Sequence, residues 1–133
     1  MTYYDFSSLN DKDFEVLVAD LLSIEHNIRF ERFKAGRDGG IDGRYFAPSG
    51  GQVIFQCKHW AKSGLAALLR SLKNTEYAKV VHLNPKRYII ATSVPLSAAD
   101  KTKIRSVFGK FMHNDSDVLG CEDINDLLRK HRH

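Results

Sequence analysis

Four side chains of this 133-residue chain have the types and spacing to act on a phosphate ester: Asp42, Gln56, Lys58 and Glu15. Aspartate and glutamate oxygens, helped by a Gln carbonyl, suit a hard divalent cation, with Mg2+ the best match and Mn2+ a substitute. Such a cation binds a phosphate oxygen, lowers the pKa of a water and stabilises the charge of an in-line transition state. Lys58 at the edge of the group could orient or deprotonate the water, or neutralise charge building on phosphorus. Each residue also has an ordinary use. Asp42 could accept N–H bonds at a hairpin start, Lys58 could snorkel to solvent, and Glu15 could face water from a helix rim. What sets the group apart is the apolar run Val53-Ile54-Phe55 ending in Gln-Cys-Lys, after a Gly-rich turn that contains Asp.

The positioning elements follow from periodicity and turn chemistry. Asn10 is placed to cap a first helix, with Asp13 at its third position. Phe14, Leu17, Val18, Leu21 and Leu22 form its apolar face, and Glu15 lies at the rim of that face. A strand is predicted near Ile28–Lys34, then the turn Ala35–Gly40. Ile41–Phe46 and Gln52–Lys58 read as a hairpin around Ala47–Gly51. With the loop centred on Ser49, Phe46 faces Gln52 and Asp42 faces Gln56. Ile54, Gln56 and Lys58 then share one sheet face, and Val53, Phe55 and Cys57 the other. A one-residue slip would separate Asp42 from Gln56 and Lys58. Leu65, Leu68, Leu69 and Leu72 mark a second helix, with Arg70 and Lys73 elsewhere on its circumference. Arg87–Thr92 reads as a buried strand. Ser97 and Asp100 form a capping box before a helix with the face Ile104, Val107, Phe108 and Phe111. Val118-Leu119 is a short strand, and a terminal helix carries Ile124, Leu127 and Leu128. The order α-β-β-β-α-β-α-β-α predicts an α/β fold, a mixed sheet with helices on both faces.

Composition narrows the function classes. A chain of this length is expected to be one domain, residues 1–133, with 43% hydrophobic and 27% charged residues. No apolar run approaches the roughly 18 residues that span a bilayer. Met1–Ser8 has no basic segment, so no signal peptide is expected. Cys57 and Cys121 lack the number for a disulfide framework and the spacing for zinc, and the expected setting is cytoplasmic. Net charge is +4 but uneven: residues 29–90 hold twelve Lys and Arg against four Asp and Glu. That excess can raise the local concentration of a polyanion such as nucleic acid.

Gly36-Arg37-Asp38-Gly39-Gly40-Ile41-Asp42-Gly43, followed by Val53-Ile54-Phe55-Gln56-Cys57-Lys58-His59-Trp60, resembles the catalytic signature of Mrr-type restriction endonucleases. These belong to the PD-(D/E)xK nuclease superfamily, in the branch where Gln replaces the second acid. Phe14-Glu15 with Leu21-Leu22 resembles the family's first helix, and Arg87–Ser93 its later core strand, so the resemblance covers nearly the whole chain. It implies a restriction-endonuclease-like three-layer sandwich, a central mixed sheet flanked by helices, with double-stranded DNA as substrate and Mg2+ as cofactor. It implies that Asp42 binds metal, that Gln56 occupies the variable metal-site position, that Lys58 is the catalytic lysine and that Glu15 is the helix glutamate. Asp38 matches an acidic position of the glycine turn, with a turn-shaping role. One formal negative charge fewer at Gln56 should weaken metal binding unless Glu15 compensates.

Arg37, Arg44, Lys62, Arg70 and Lys73 are candidate phosphate contacts. His59 and Trp60 could touch DNA by a phosphate hydrogen bond and by packing, although such a Trp more often closes a core. Cys57 is expected to point away from the site as a small core residue. Nothing in the chain resembles a helix-turn-helix or a zinc module. Family members carry this domain attached to others, and in antiviral NTPases of the STAND class a similar nuclease is the N-terminal effector. The expectation is therefore a domain of a longer polypeptide, active as a homo-oligomer in antiphage restriction and independent of membranes. Two rival readings are a catalytically silent nucleic-acid-binding or assembly module on the same fold, and a junction-resolving or repair nuclease.

Overall fold

The computed structural model describes residues 4–32, 42–48, 50–60 and 63–131. Helix α1 (Asp11–His26) starts where Asn10 accepts the Asp13 N–H at 2.7 Å. It ends at Asn27, in the left-handed region with φ 52°. Strand β1 (Glu31–Arg32) is shorter than the predicted Ile28–Lys34. The segment Ile28–Phe30 precedes it outside any strand, and the rest of the predicted strand lies outside the described residues. Strands β2 (Gly43–Phe46) and β3 (Gln52–Lys58) form the hairpin, closed by the Ala47 N–H to Gly51 C=O bond at 3.0 Å. Gly50 and Gly51 have φ of 99° and 77°, a region closed to most side chains.

The observed register pairs Phe46 with Gln52, Tyr45 with Val53, Arg44 with Ile54 and Gly43 with Phe55. This is the register derived from the loop centre. At Gly43 a Cβ would collide with the Phe55 ring, so glycine lets the strands approach there. Helix α2 (Gly64–Ser71) runs through a π-helical turn (Leu72–Glu76) into α3 (Tyr77–Leu83). The apolar pattern located α2 but not this continuation. Strand β4 (Arg87–Thr92), helix α4 (Ala98–Phe108) with its Ser97/Asp100 capping box, strand β5 (Val118–Leu119) and helix α5 (Cys121–Lys130) complete the order.

The five-stranded sheet has the order β1-β2-β3-β4-β5. β1, β2 and β3 pair antiparallel, while β3, β4 and β5 pair parallel. Parallel neighbours need crossovers, and α2–α3 and α4 supply them. Each face carries its own core. Ile54, Tyr88 and Ile90 pack with Leu68, Leu72, Val80, Ile104 and Phe108 on one side. Phe55, Ile89 and Ala91 pack with Phe14, Val18, Leu22 and Ile124 on the other. The result is the α/β three-layer architecture expected. No helix among the described residues is long and apolar enough to cross a membrane.

Candidate active site

The alternation of β3 sends Gln56 and Lys58 to the face covered by α2–α3, and Cys57 to the face covered by α1. Asp42 stands one residue before β2, at the C-terminal end of β3. Its N–H donates to Phe55 C=O at 3.0 Å, and its Oδ2 accepts the Cys57 N–H at 2.5 Å. The hairpin therefore delivers an aspartate beside the Gln-x-Lys pair, as the register requires. Burial pushes the Asp42 carboxyl up from 3.8 to about 6. The Cys57 N–H opposes that shift; the negative charges of Glu15 and Glu76 add to it, and Lys58 counters them. The Cys57 thiol is itself pushed well up, first by burial and then by Asp42 and Glu15. The thiol stays neutral, a small packing residue rather than a nucleophile.

Glu15 comes from the opposite layer. Its side chain is only 14% exposed, with Lys12 Nζ 3.8 Å from Oε1. That separation is too long for a hydrogen bond, and Oε1 is buried without a hydrogen-bond partner. An orphaned buried carboxylate oxygen, close enough to Asp42 to raise its pKa, is the kind of group a cation satisfies. Among the described residues no three Asp, Glu, His or Cys side chains form a cage by themselves. Mg2+ does not ask for one, since it is commonly held by one or two carboxylates and keeps several waters. Asp42 and Glu15 thus fit the donor chemistry of such an ion.

Gln56 is buried, and both ends of its amide are engaged. Its Nε2 donates to Glu76 Oε1 at 3.0 Å, and its Oε1 accepts from Tyr88 OH at 2.5 Å. Burial holds the Tyr88 hydroxyl well above its ordinary pKa, with Glu76, Asp42 and Cys57 adding to that, so it remains a donor. Lys58 Nζ lies 3.0 Å from Glu76 Oε2 and 5.1 Å from the centre of the Trp60 ring. The Lys58 side chain is 13% exposed, so it does not snorkel into solvent. Its carbonyl accepts from Thr92 Oγ1 at 2.7 Å, which ties the ends of β3 and β4 together.

Glu76 is the site residue that sequence reasoning missed. The signal was present: Leu68, Leu72, Glu76 and Val80 recur every four residues, and all four are buried. An acid on an otherwise apolar stripe is out of place unless it meets a partner.

The remaining candidates disperse. Arg37, Asp38 and Lys62 lie outside the described residues. Arg44 forks onto Glu31, with Nε 3.0 Å from Oε2, and its guanidinium lies over Phe46. His59 Nε2 donates to Leu9 C=O at 2.7 Å, its Nδ1 lies 2.8 Å from Ser93 Oγ, and the ring stacks on Phe14. Both nitrogens therefore serve the fold. Trp60 packs against the α2–α4 core. Arg70 and Lys73 are exposed, and Lys73 borders a groove with Leu69, Lys103, Ser106 and Val107.

Comparison with known proteins follows the same lines. The family model described as restriction endonuclease, of the Mrr catalytic type, matches residues 6–106. An uncharacterized protein, y4cD, of Sinorhizobium fredii (strain NBRC 101917 / NGR234) is 41% identical over 128 residues, which make up 96% of this chain and 20% of that protein. The chain thus spans about a fifth of the length of the curated relative it matches. No solved structure matches it.

Proposed function

Because the chain belongs to the restriction endonuclease family of Mrr type, we propose that it is a Mg2+-dependent endodeoxyribonuclease domain that hydrolyses phosphodiester bonds of double-stranded DNA. The observation that carries the reading is Glu15 Oε1, buried without a hydrogen-bond partner, with Lys12 Nζ 3.8 Å away and near a carboxyl that resists ionisation. Asp42 and Glu15 would hold the ion, with Gln56 Oε1 offering its second lone pair. A bound divalent cation would supply charge stabilisation on the phosphate and a lower pKa for a neighbouring water. Lys58 then acts at the scissile group: its ammonium orients the attacking water and offsets the negative charge that grows on the phosphate oxygens. The water oxygen bonds to phosphorus as the bond to the leaving sugar oxygen breaks; the attacking water gives up a proton to bulk water, and the leaving oxygen takes one from bulk water. His59, bonded to the Leu9 carbonyl just ahead of α1 and stacked on Phe14 of α1, ties the segment after Lys58 to the helix that carries Glu15.

The wider role follows from the same reading. The domain serves in restriction of foreign DNA, as part of a longer polypeptide whose other domains bring two copies together, so that both strands are cut. The relative, about five times as long, supports an attachment to other domains. The setting proposed is the cytoplasm.

The test is incubation of the chain with supercoiled plasmid in Mg2+ or Mn2+, beside an EDTA control and Lys58→Ala. Metal-dependent nicking is expected, with Lys58→Ala slower by about a hundredfold or more. A folded wild-type chain that takes up no Mg2+ in calorimetry, and leaves plasmid intact even when fused to a dimerising partner, would sink the reading in favour of a silent binding module. A strong preference for branched over linear duplex would redirect it to junction resolution.

A further inference from the structure

We propose that Glu76 is a positioning residue of the cleavage reaction, holding Lys58 Nζ and the Gln56 amide as one unit, and that Gln at position 56 is the residue matched to it. The proposal rests on the nuclease reading above and adds to it a residue that the Asp-turn and Gln-x-Lys signature does not contain.

The geometry is specific. Gln56 and Lys58 are two apart on β3 and so project to one face. A single carboxylate bridges them, Oε1 to the amide and Oε2 to the ammonium, each at 3.0 Å. Lys79 Nζ, 3.9 Å from Oε1, flanks the pair from an exposed side chain. Glu76 is 3% exposed, and a buried carboxylate persists only when it is paired and hydrogen-bonded. Such a pair adds little net stability over an apolar replacement, so stability is a poor account of its presence. Glu76 also closes the π-helical turn of residues 72–76. Turns of this kind interrupt regular helix geometry and occur frequently at functional sites.

The network has a direction. Tyr88 OH donates to Gln56 Oε1, and Gln56 Nε2 donates to Glu76. A flipped amide would aim its carbonyl at the carboxylate, so the orientation is forced. A glutamate at position 56 would set two carboxylates face to face in a buried site, where like charges cannot both ionise without a large penalty. An amide there avoids this, and the acid stands on the helix instead. With Glu76 in place, Lys58 is held between a carboxylate and the Trp60 ring; without it, the ring remains as its partner among the described residues.

The experiment uses Glu76→Gln, Gln56→Glu and the exchanged pair Gln56→Glu/Glu76→Gln in the 133-residue chain, each checked for folding by circular dichroism. Plasmid nicking at saturating DNA and Mg2+ gives kcat per folded molecule. The Gln56 side-chain amide protons are followed separately by NMR without metal. Each single variant is expected to lose about 10–100-fold in kcat, the usual effect of removing a group that orients site residues, with a smaller change in KM. The exchanged pair, which again opposes one amide and one carboxylate, should recover most of that loss. The wild-type Gln56 amide protons should exchange slowly, and Glu76→Gln should release them. A folded Glu76→Gln that nicks at the wild-type rate overturns the proposal, and so does an exchanged pair no better than the weaker single. Loss of stability with unchanged kcat assigns Glu76 to the fold alone and overturns it too. If the wild-type chain takes up no Mg2+ and leaves plasmid intact even when fused to a dimerising partner, the nuclease reading has failed and the role in cleavage fails with it. The amide signal then decides the clamp itself: fast-exchanging Gln56 protons would remove that as well.

Discussion

Asp42, proposed to hold a cation as an anion, stands in surroundings that resist its ionisation. Its pKa is raised to about 6, chiefly by burial, against an ordinary 3.8. Between those values the folded chain keeps a proton that the unfolded chain has lost, so stability falls as pH rises through that window and stays low above it. Asp42→Asn removes the cost of the buried anion. Without metal, that variant should melt above wild type at about pH 8 and lose its advantage below about pH 4. Thermal unfolding in EDTA at the two pH values checks this, and a wild type that melts as high as the variant at pH 8 would refute it. Added Mg2+ should raise the melting temperature of wild type but not of Asp42→Asn, because a ligand stabilises only the state that binds it. Asp42, Gln56 and Lys58 were legible as a group because a five-residue loop fixes the hairpin register, and register fixes which residues share a face. Glu76 was not, because its partners lie 18 and 20 residues upstream, and no local pattern states which strand residues a buried helix acid will meet.

The elements that set the site are themselves held by contacts away from it. Arg87, at the start of β4, donates from Nε to Asp117 Oδ1 at 2.8 Å, while Asp117 Oδ2 accepts the His113 N–H at 2.8 Å. The Asp117 side chain is fully buried, and this pair ties β4 to the turn before β5. Arg87→Ala would leave that carboxylate without its counter-charge. A loss of about 3 kcal/mol is expected, the low end for a broken buried pair because Arg87 itself is partly exposed. Urea unfolding measures it; a change below about 0.5 kcal/mol, the scale of an ordinary surface substitution, would contradict the assignment. Element types and most boundaries followed from capping residues and periodicity, as at Asn10 and at Ser97 with Asp100. Two of the departures have clear physical causes. Ile28–Phe30 looked like strand by composition, yet Phe30 is buried against Phe55 and Tyr45 before any pairing begins. The helix after Leu72 was hidden because its stripe contains an acid and its turn widens at residues 72–76.

At the scale of the whole molecule, the uneven charge bears on the proposed contact with duplex DNA. Arg70 and Lys73 are exposed on the α2–π-turn segment, whereas Arg44 is forked onto Glu31. If both side chains contact phosphates, the Arg70→Ala/Lys73→Ala variant should lower the slope of log Kd against log salt by about 2. Fluorescence anisotropy with a labelled duplex in EDTA measures the slope, and an unchanged value would move the DNA to another face. The sequence by itself determined the α/β class, the order of elements, the hairpin register and the grouping of Asp42 with Gln56 and Lys58. Those depend on alternation, caps and a short loop, all of them local. Only the tertiary structure decided that Glu15 reaches the sheet end from one layer and Glu76 from the other, that His59 is turned into the fold by Leu9 and Ser93, and that the Gln56 amide points its oxygen at Tyr88. Those outcomes depend on packing between segments far apart in the chain, where burial leaves each polar group only the partners that the opposite layer supplies.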